Sequence, residues 1–290
     1  MPKISVVMSV YNGEQYLQES IESILTQTYS DFEFIIIDDC STDNSVNIIE
    51  SYDDNRIRLV RNKQNLRLPA SLNKGINLAK GEYIARMDAD DISMPERFAK
   101  QVLYMDTHPD VAVVGGGFQA IDESGNNLYI HHAPNGKKLA RYCLIPSPMA
   151  HPTVMIRRDV IVNNNLFYDE QYSSAQDYDL WQRINRKFKI ENLPDILLRY
   201  RIQSNSISVA KRKQQQDNTY KIFSKYSPVD VSYDEVMAIM HRNYVLNPWQ
   251  QALIMYKVFH TLDYTYWRNV AGYTVRYVMD KFNLNKRTAV

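Results

Sequence analysis

The stretch Lys3–Asn12, KISVVMSVYN, is an almost unbroken apolar run closed by a turn residue. A half-buried strand alternates polar and apolar residues, so a continuous run of this length marks a strand covered on both faces. Such strands belong to parallel sheets sandwiched between helices. The segment that follows, GEQYLQESIESILTQTY (Gly13–Tyr29), places Leu17, Ile21, Ile24 and Leu25 at spacings of three and four, which is an amphipathic helix. FEFIIIDDCSTDNSVNIIESY then repeats the scheme: a strand at Phe34–Ile37, a loop rich in Asp, Ser, Thr and Asn, and a helix bearing Val46, Ile48 and Ile49. Two strand–helix units in succession imply right-handed crossovers, hence an α/β fold with a mostly parallel open sheet flanked by helices.

The pattern continues with a strand at Arg56–Asn62, a helix at Pro69–Lys80 ended by Gly81, and a fourth strand at Glu82–Met87. A helix opened by Pro95 leads to VAVVGGGFQAID (Val111–Asp122), which reads as a strand broken by three glycines. The periodicity then loosens, leaving HPTVMIRRDVI (His151–Ile161), SSAQDYDLWQRINRKF (Ser173–Phe188) and LLRYRIQSNSIS (Leu197–Ser208) as its features. From about Val209 the composition shifts, beginning with KRKQQQ, a solvated helix start or a linker. Further on, Met255, Phe259, Leu262, Tyr266, Val270, Tyr273 and Tyr277 recur at helical spacing beside Lys257, Arg268, Arg276 and Lys281. That segment is either a helix packed on the main domain or one lying in a membrane interface, where apolar and aromatic residues with basic neighbours are at home. The division expected is residues 1–208 as the main domain and 209–290 as a helical extension. No internal repeat is present.

Bulk properties narrow the function class only loosely. The chain of 290 residues has 44% hydrophobic and 23% charged residues and a net charge of +1, which gives no reason to expect a nucleic-acid partner. Its two cysteines, Cys40 and Cys143, are too few for a disulfide scaffold and lack metal-ligand spacing, so a reducing, cytoplasmic setting is expected. Met1-Pro2-Lys3 leads straight into the first strand without a secretory pattern, and no run approaches the roughly 18 to 20 apolar residues of a membrane span.

The chemistry concentrates in EYIARMDADDISMPERF, where Asp88, Asp90 and Asp91 occupy four positions directly after the fourth strand. Repulsion and desolvation both oppose such crowding, so either something positive sits there or the carboxylates face water. Carboxylates at i and i+2 can reach one hard cation, Mg²⁺ or Mn²⁺, which shares its oxygen ligands with substrate phosphates. The competing reading is an ordinary exposed turn. Asp38 and Asp39 end the second strand at an equivalent place, and the carboxyl edge of an open α/β sheet is where ligands bind. No glycine-rich phosphate cradle follows the first strand, so a phosphate here would be neutralised by metal instead of a helix N-terminus.

Taken together, ISVVMSVYNGEQYLQESIESILTQTYSDFEFIIIDDCSTDNS, the GEYIARMDADD block and AQDYDLWQRI resemble the family 2 glycosyltransferases, nucleotide-sugar enzymes of the GT-A fold, over roughly residues 3 to 208. The resemblance implies that Tyr11 lies against a uracil, Asp39 accepts its ring N–H, Asp88 contacts ribose or metal, and Asp90 ligates Mn²⁺ or Mg²⁺ bridging the diphosphate of a UDP-sugar. Asp91 would assist or cap the following turn. Arg67 and Arg86 are candidates for uridine or phosphate contact, with a structural salt bridge as the competing role of each. Asp177 matches the aspartate that acts as general base on the acceptor hydroxyl in an inverting displacement, although Gln176 stands where many relatives carry Glu. Asp179 reads as a solvated or N-terminal helix charge. His151 sits in a family element near the sugars, against the plainer reading of a structural histidine. The late family motif appears as YRIQSNSIS with Gln203 in the place of a metal-binding His, and glutamine is a poorer ligand for Mn²⁺. Family habit implies a saccharide acceptor, lipid-linked, in O-antigen or capsule assembly, with the enzyme peripheral on the cytoplasmic face of the inner membrane.

Two other readings compete. An aspartyl phosphatase wants its Asp-x-Asp near the first strand, and a nucleotidyltransferase wants a basic glycine-rich loop there, whereas VYNGEQYLQE is acidic. A binding domain that kept the fold and lost catalysis is fed by Gln203 and opposed by intact Asp88, Asp90 and Asp177.

Overall fold

The computed structural model describes residues 1–135, 139, 148–203, 212–226 and 232–240. Its first half follows the strand–helix alternation: β1 (Ile4–Val10), α1 (Leu17–Leu25), β2 (Phe32–Asp38), α2 (Ser45–Glu50), β3 (Ile57–Arg61), α3 (Arg67–Leu78) and β4 (Tyr83–Asp88). The second half adds β5 (Ile92–Ser93), α4 (Arg97–Thr107), β6 (Val111–Ile121), β7 (Asn127–His131), a 3₁₀ turn at His151–Thr153, β8 (Met155–Arg157), α5 (Arg158–Asn163), α6 (Gln176–Asn185) and β9 (Lys189–Arg201). Beyond it lie α7 (Arg212–Tyr226) and α8 (Tyr233–Met240). The segment Met255–Lys281, residues 204–208 of the late motif and Cys143 lie outside the described residues.

One mixed sheet runs in the order β3-β2-β1-β4-β8-β6-β9-β5, with β7 added along β6. The strands β3, β2, β1 and β4 pair in parallel, as their continuous apolar runs require. The sheet then turns antiparallel at β4–β8 and β8–β6 before β6 and β9 pair in parallel again. Alternate residues of β1 feed two cores. Ile4, Val6, Met8 and Val10 pack with α1 and α4 through Leu17, Ile21, Phe98 and Met105. Val7 faces the other way, into Leu72 and Ile76 of α3 and Leu180 and Trp181 of α6. The result is a sheet with helices on both faces.

The run Gly115–Gly117 does not break β6, which continues for 11 residues. Instead the register against β9 shifts there, and the missing side chains admit close neighbours: a Cβ on Gly117 would meet the His131 carbonyl at 2.5 Å. The glycines mark a bulge and a close strand approach in a continuous strand.

Candidate active site

β1 is the strand on which the site is centred. Its Ser9 lies opposite Asp88 of β4 on one side and Ile37 of β2 on the other, and Val10 lies opposite Asp38. Parallel registry therefore brings Tyr11, Asp39 and the Asp88–Asp91 turn out of the sheet at one edge, as expected from the sequence. Among the described residues, Asn12, Cys40 and Arg67 in the loops at this edge have left-handed backbone, as does Ala175 ahead of α6. Strained backbone of this kind persists only where neighbours hold it, and it gathers at binding sites.

The loops after β1 and β2 are laced together. Asn12 accepts from the Thr42 N–H at 2.8 Å and donates its own N–H to Ser41 Oγ at 3.0 Å. Tyr11 projects from this edge with 53% of its surface exposed, a free aromatic face on the rim. Asp39 is buried, and its carboxylate is already engaged. Oδ1 accepts from Asn62 Nδ2 and the Leu66 N–H, both at 2.8 Å, and Oδ2 accepts from the Arg67 N–H at 2.9 Å. Two acceptor positions per carboxylate oxygen leave one open, on Oδ2. Asp39 thus fixes the start of α3, and any ligand N–H it takes would bond to that oxygen. Arg67 is exposed at the same place.

At the end of β4 the crowded carboxylates meet positive charge from the chain itself. Asp88 accepts both terminal nitrogens of Arg86, a salt bridge that is buried on the arginine side. Of the two roles open to Arg86, the structure displays the salt bridge. Ligand oxygens of Asp88, Asp90 and Asp91 lie within 4.8 Å of one another, close enough to share one cation. Burial, reinforced by the Asp88 charge, pushes the Asp90 carboxyl up to about 6. Asp91 is raised well above the usual range for the same reason, with Asp90 and Asp88 both opposing its charge. Its Oδ1 accepts from the Arg201 N–H at 2.8 Å, while Oδ2 is buried without a partner. A buried unpartnered carboxylate oxygen beside two further carboxylates fits a hard divalent cation. Gln203 reaches the cluster as the sequence suggests, donating Nε2 to Asp90 Oδ2.

Two arginines that sequence reasoning passed over support this turn. Arg201, at the end of β9, donates Nε to the Asp90 carbonyl at 2.9 Å and Nη1 to the Asp122 and Glu123 carbonyls at 3.3 and 3.1 Å. It also pairs with Glu19 and lies 4.2 Å over the Tyr16 ring, so one side chain ties β9, α1, the β6–β7 turn and the Asp90 turn together. Arg97 of α4 is fully buried and donates to the Arg86 carbonyl at 2.7 Å. Burial, with Arg86 nearby, brings its guanidinium down to about 9. The signal for it was available: Arg97 and Gln101 stand on the same buried stripe as Phe98 and Met105. Replacing Arg201 by Met is expected to strand three carbonyls and cost about 2–4 kcal/mol, read as a lower urea midpoint.

The remaining candidates gather around Tyr168. His151 is buried, with Nε2 at 2.7 Å from the Tyr168 hydroxyl and its ring edge-on to Tyr168 and Trp181. Burial, together with the Arg86 charge, holds the imidazole well below its ordinary value, so it is neutral. The Tyr168 phenol is raised chiefly by burial, with the Asp177 and Asp88 charges adding to the rise and the Arg86 charge opposing it. Asp177 is half-buried in the first turn of α6. Asp179 is not a solvated helix charge. It is fully buried, bonded to Arg183 Nε at 2.7 Å and to the Tyr226 hydroxyl at 3.0 Å.

Residues 5–165 match the family described as glycosyl transferase family 2. The chain belongs to that family. It is a glycosyltransferase by that membership. One relative is the O-antigen biosynthesis glycosyltransferase WbnJ of Escherichia coli, 38% identical over 70% of this chain and 81% of its own. Among solved structures, Staphylococcus aureus TarS 1-349 in complex with UDP superposes with a TM-score of 0.66 at 18% identity, covering 98% of this chain and 92% of that one. The mannosyltransferase PcManGT of Pyrobaculum calidifontis, in complex with GDP-Man and Mn²⁺, gives 0.62 at 16% identity over 94% and 80%. The fold of this family 2 member is accordingly GT-A-like. Among the described residues no helix is long and apolar enough to cross a membrane.

Proposed function

We propose that this family 2 protein is an inverting, metal-dependent transferase that moves a hexose or N-acetylhexosamine from UDP to a saccharide acceptor. The observation that carries the reading is the convergence of Asp39, Asp88, Asp90 and Asp91 at one sheet edge, with a buried unpartnered oxygen on Asp91. Tyr11 offers its face to the uracil, Asp39 Oδ2 takes the ring N–H, and Arg67 supplies an exposed cation to the phosphates. Asp90 and Asp88, with Gln203 beside them, would hold Mn²⁺ or Mg²⁺, which when bound neutralises charge on the departing diphosphate. Arg86 keeps Asp88 oriented. His151, neutral and bonded to Tyr168, shapes the floor of the sugar site.

Asp177 removes the proton of the acceptor hydroxyl as that oxygen forms a bond to the anomeric carbon. The bond from that carbon to the phosphate oxygen breaks on the opposite face, its electron pair leaving with UDP, so the anomeric configuration inverts. The named role of WbnJ supports an acceptor in surface polysaccharide assembly, such as a lipid-linked saccharide, met at the cytoplasmic face of a membrane by peripheral contact through the C-terminal extension. The printed ligand of TarS supports UDP, and that of PcManGT supports Mn²⁺.

The test is a panel of UDP-glucose, UDP-galactose and UDP-N-acetylglucosamine assayed for UDP release with Mn²⁺ and with chelator. Release from one donor, lost on chelation, is expected; none from any donor would end the proposal. Proton linkage gives a second check. A divalent ion takes Asp90 ionised, so binding expels a proton near pH 6. Without metal, the raised Asp90 value favours the folded state most at low pH, and this contribution is lost as pH rises through about 6. Mn²⁺ is therefore expected to raise the melting temperature clearly at pH 7.5 and hardly at pH 5, measured by thermal unfolding. Equal stabilisation at both pH values would remove Asp90 as the ligand.

A further inference from the structure

The segment that presents Asp177 is held from outside the 1–208 region. Ala175, the residue that caps α6, has φ 60°, a left-handed conformation that the Cβ of an alanine disfavours. Such a residue stays there only if its surroundings fix it. α7 supplies contacts that fix it. Asn218, buried, donates Nδ2 to the Ser174 carbonyl at 3.1 Å and lies 3.2 Å from Ser174 Oγ. Ile222, fully buried, packs on Ala175 and Tyr178, with Tyr226 alongside. At the other end of the same turn, the Tyr226 hydroxyl bonds Asp179 Oδ1 at 3.0 Å, and Lys225 Nζ lies 3.6 Å from that oxygen.

We infer that α7 is a positioning element for Asp177: Asn218 and Tyr226 grip residues 174 and 179 on either side of it and set the angle at which its carboxylate meets the acceptor. The inference rests on the reading of Asp177 as general base. Among the described residues neither makes a hydrogen bond to β1, β2, β4 or the end of β9, where the nucleotide and metal would sit, so the effect falls on turnover and not on donor binding. It gives the extension a part in the chemistry, and any event that shifts α7 changes the rate at a distance.

The experiment measures UDP release, with water as acceptor, from the UDP-hexose that wild-type protein uses best, together with calorimetric binding of UDP and Mn²⁺. Asn218→Ala and Tyr226→Phe are each expected to lower kcat about tenfold or more, since small displacements of a catalytic group are costly. Binding of UDP should stay within about twofold of wild type if the nucleotide side is untouched. Tyr226→Phe deletes one oxygen and leaves the ring packing, so it folds. Leu103→Ala, at an exposed position of α4, should leave kcat unchanged. Wild-type turnover in both Asn218→Ala and Tyr226→Phe, or a parallel loss of UDP binding, overturns the role of α7. If Asp177→Asn keeps wild-type turnover, it is the base assignment that falls, and a wild-type protein releasing UDP from no donor fails the glycosyltransferase mechanism itself.

Discussion

Asp90→Ala should abolish Mn²⁺-dependent UDP release, by about a thousandfold or to background, while leaving the protein folded. The size follows from what is lost: charge neutralisation on a leaving diphosphate is worth several kcal/mol, and each 1.36 kcal/mol is about a factor of ten. The preserved fold follows from the carboxyl itself. Asp90 is raised by burial and by Asp88, so its ionised form opposes folding in the absence of metal. Removing it relieves that opposition and orphans only the Gln203 amide, which is half-buried and can turn to water. The melting temperature of the metal-free variant at pH 7.5 should accordingly equal or exceed that of wild type, and Mn²⁺ should no longer raise it. A variant that still responds to Mn²⁺ would shift ligation to Asp88 and Asp91.

Asp177→Asn should behave differently, losing turnover by about a hundredfold or more with UDP and Mn²⁺ affinity intact. Asparagine keeps the size of the side chain and its place in the first turn of α6. What it lacks is the capacity to take a proton from a hydroxyl. The split between unchanged binding and lost turnover separates it from Asp90→Ala, and a variant with normal kcat would exclude Asp177 as the base.

How much of this was written visibly in the chain depended on whether a local pattern existed. The unbroken apolar runs of β1, β2 and β4 identified a sheet buried on both faces, and with it the edge where Asp39 and Asp88 emerge. The second half was opaque because β5 and β8 are two and three residues long, too short for any period. β9 packs among partners of both senses, so its 13 residues alternate on neither face cleanly. The answer to the crowded aspartates was half legible. A cation was the natural inference from Asp-x-Asp, and Arg86, two residues before Asp88, was visible as a salt-bridge partner, but the chain also supplies Arg97 and Arg201, whose proximity arises only from tertiary packing of α4 and β9 against β4. Asp179 was half legible in the same way: Arg183 stands four residues on, at helical spacing, whereas its second partner Tyr226 lies 47 residues away and brings the burial that the local pattern does not show.

The long strand β9 has one more implication, for how such a sequence can drift. It enters the sheet with Lys189 opposite Val111 and leaves it with Arg201 opposite Ile121, two places before Gln203. The register shifts as far as Phe118 show that the early part of the span absorbs extra residues, but Leu198–Arg201 pairs step by step with Phe118–Ile121. Side chains on a strand swap faces with every step, so gaining or dropping a single amino acid in that last stretch would rotate Arg201 away from the Asp90 carbonyl and carry Gln203 off its carboxylate. Surface turns and the bulged part of β9 are free to lengthen over generations, whereas this short end behaves as a ruler whose graduations cannot be respaced.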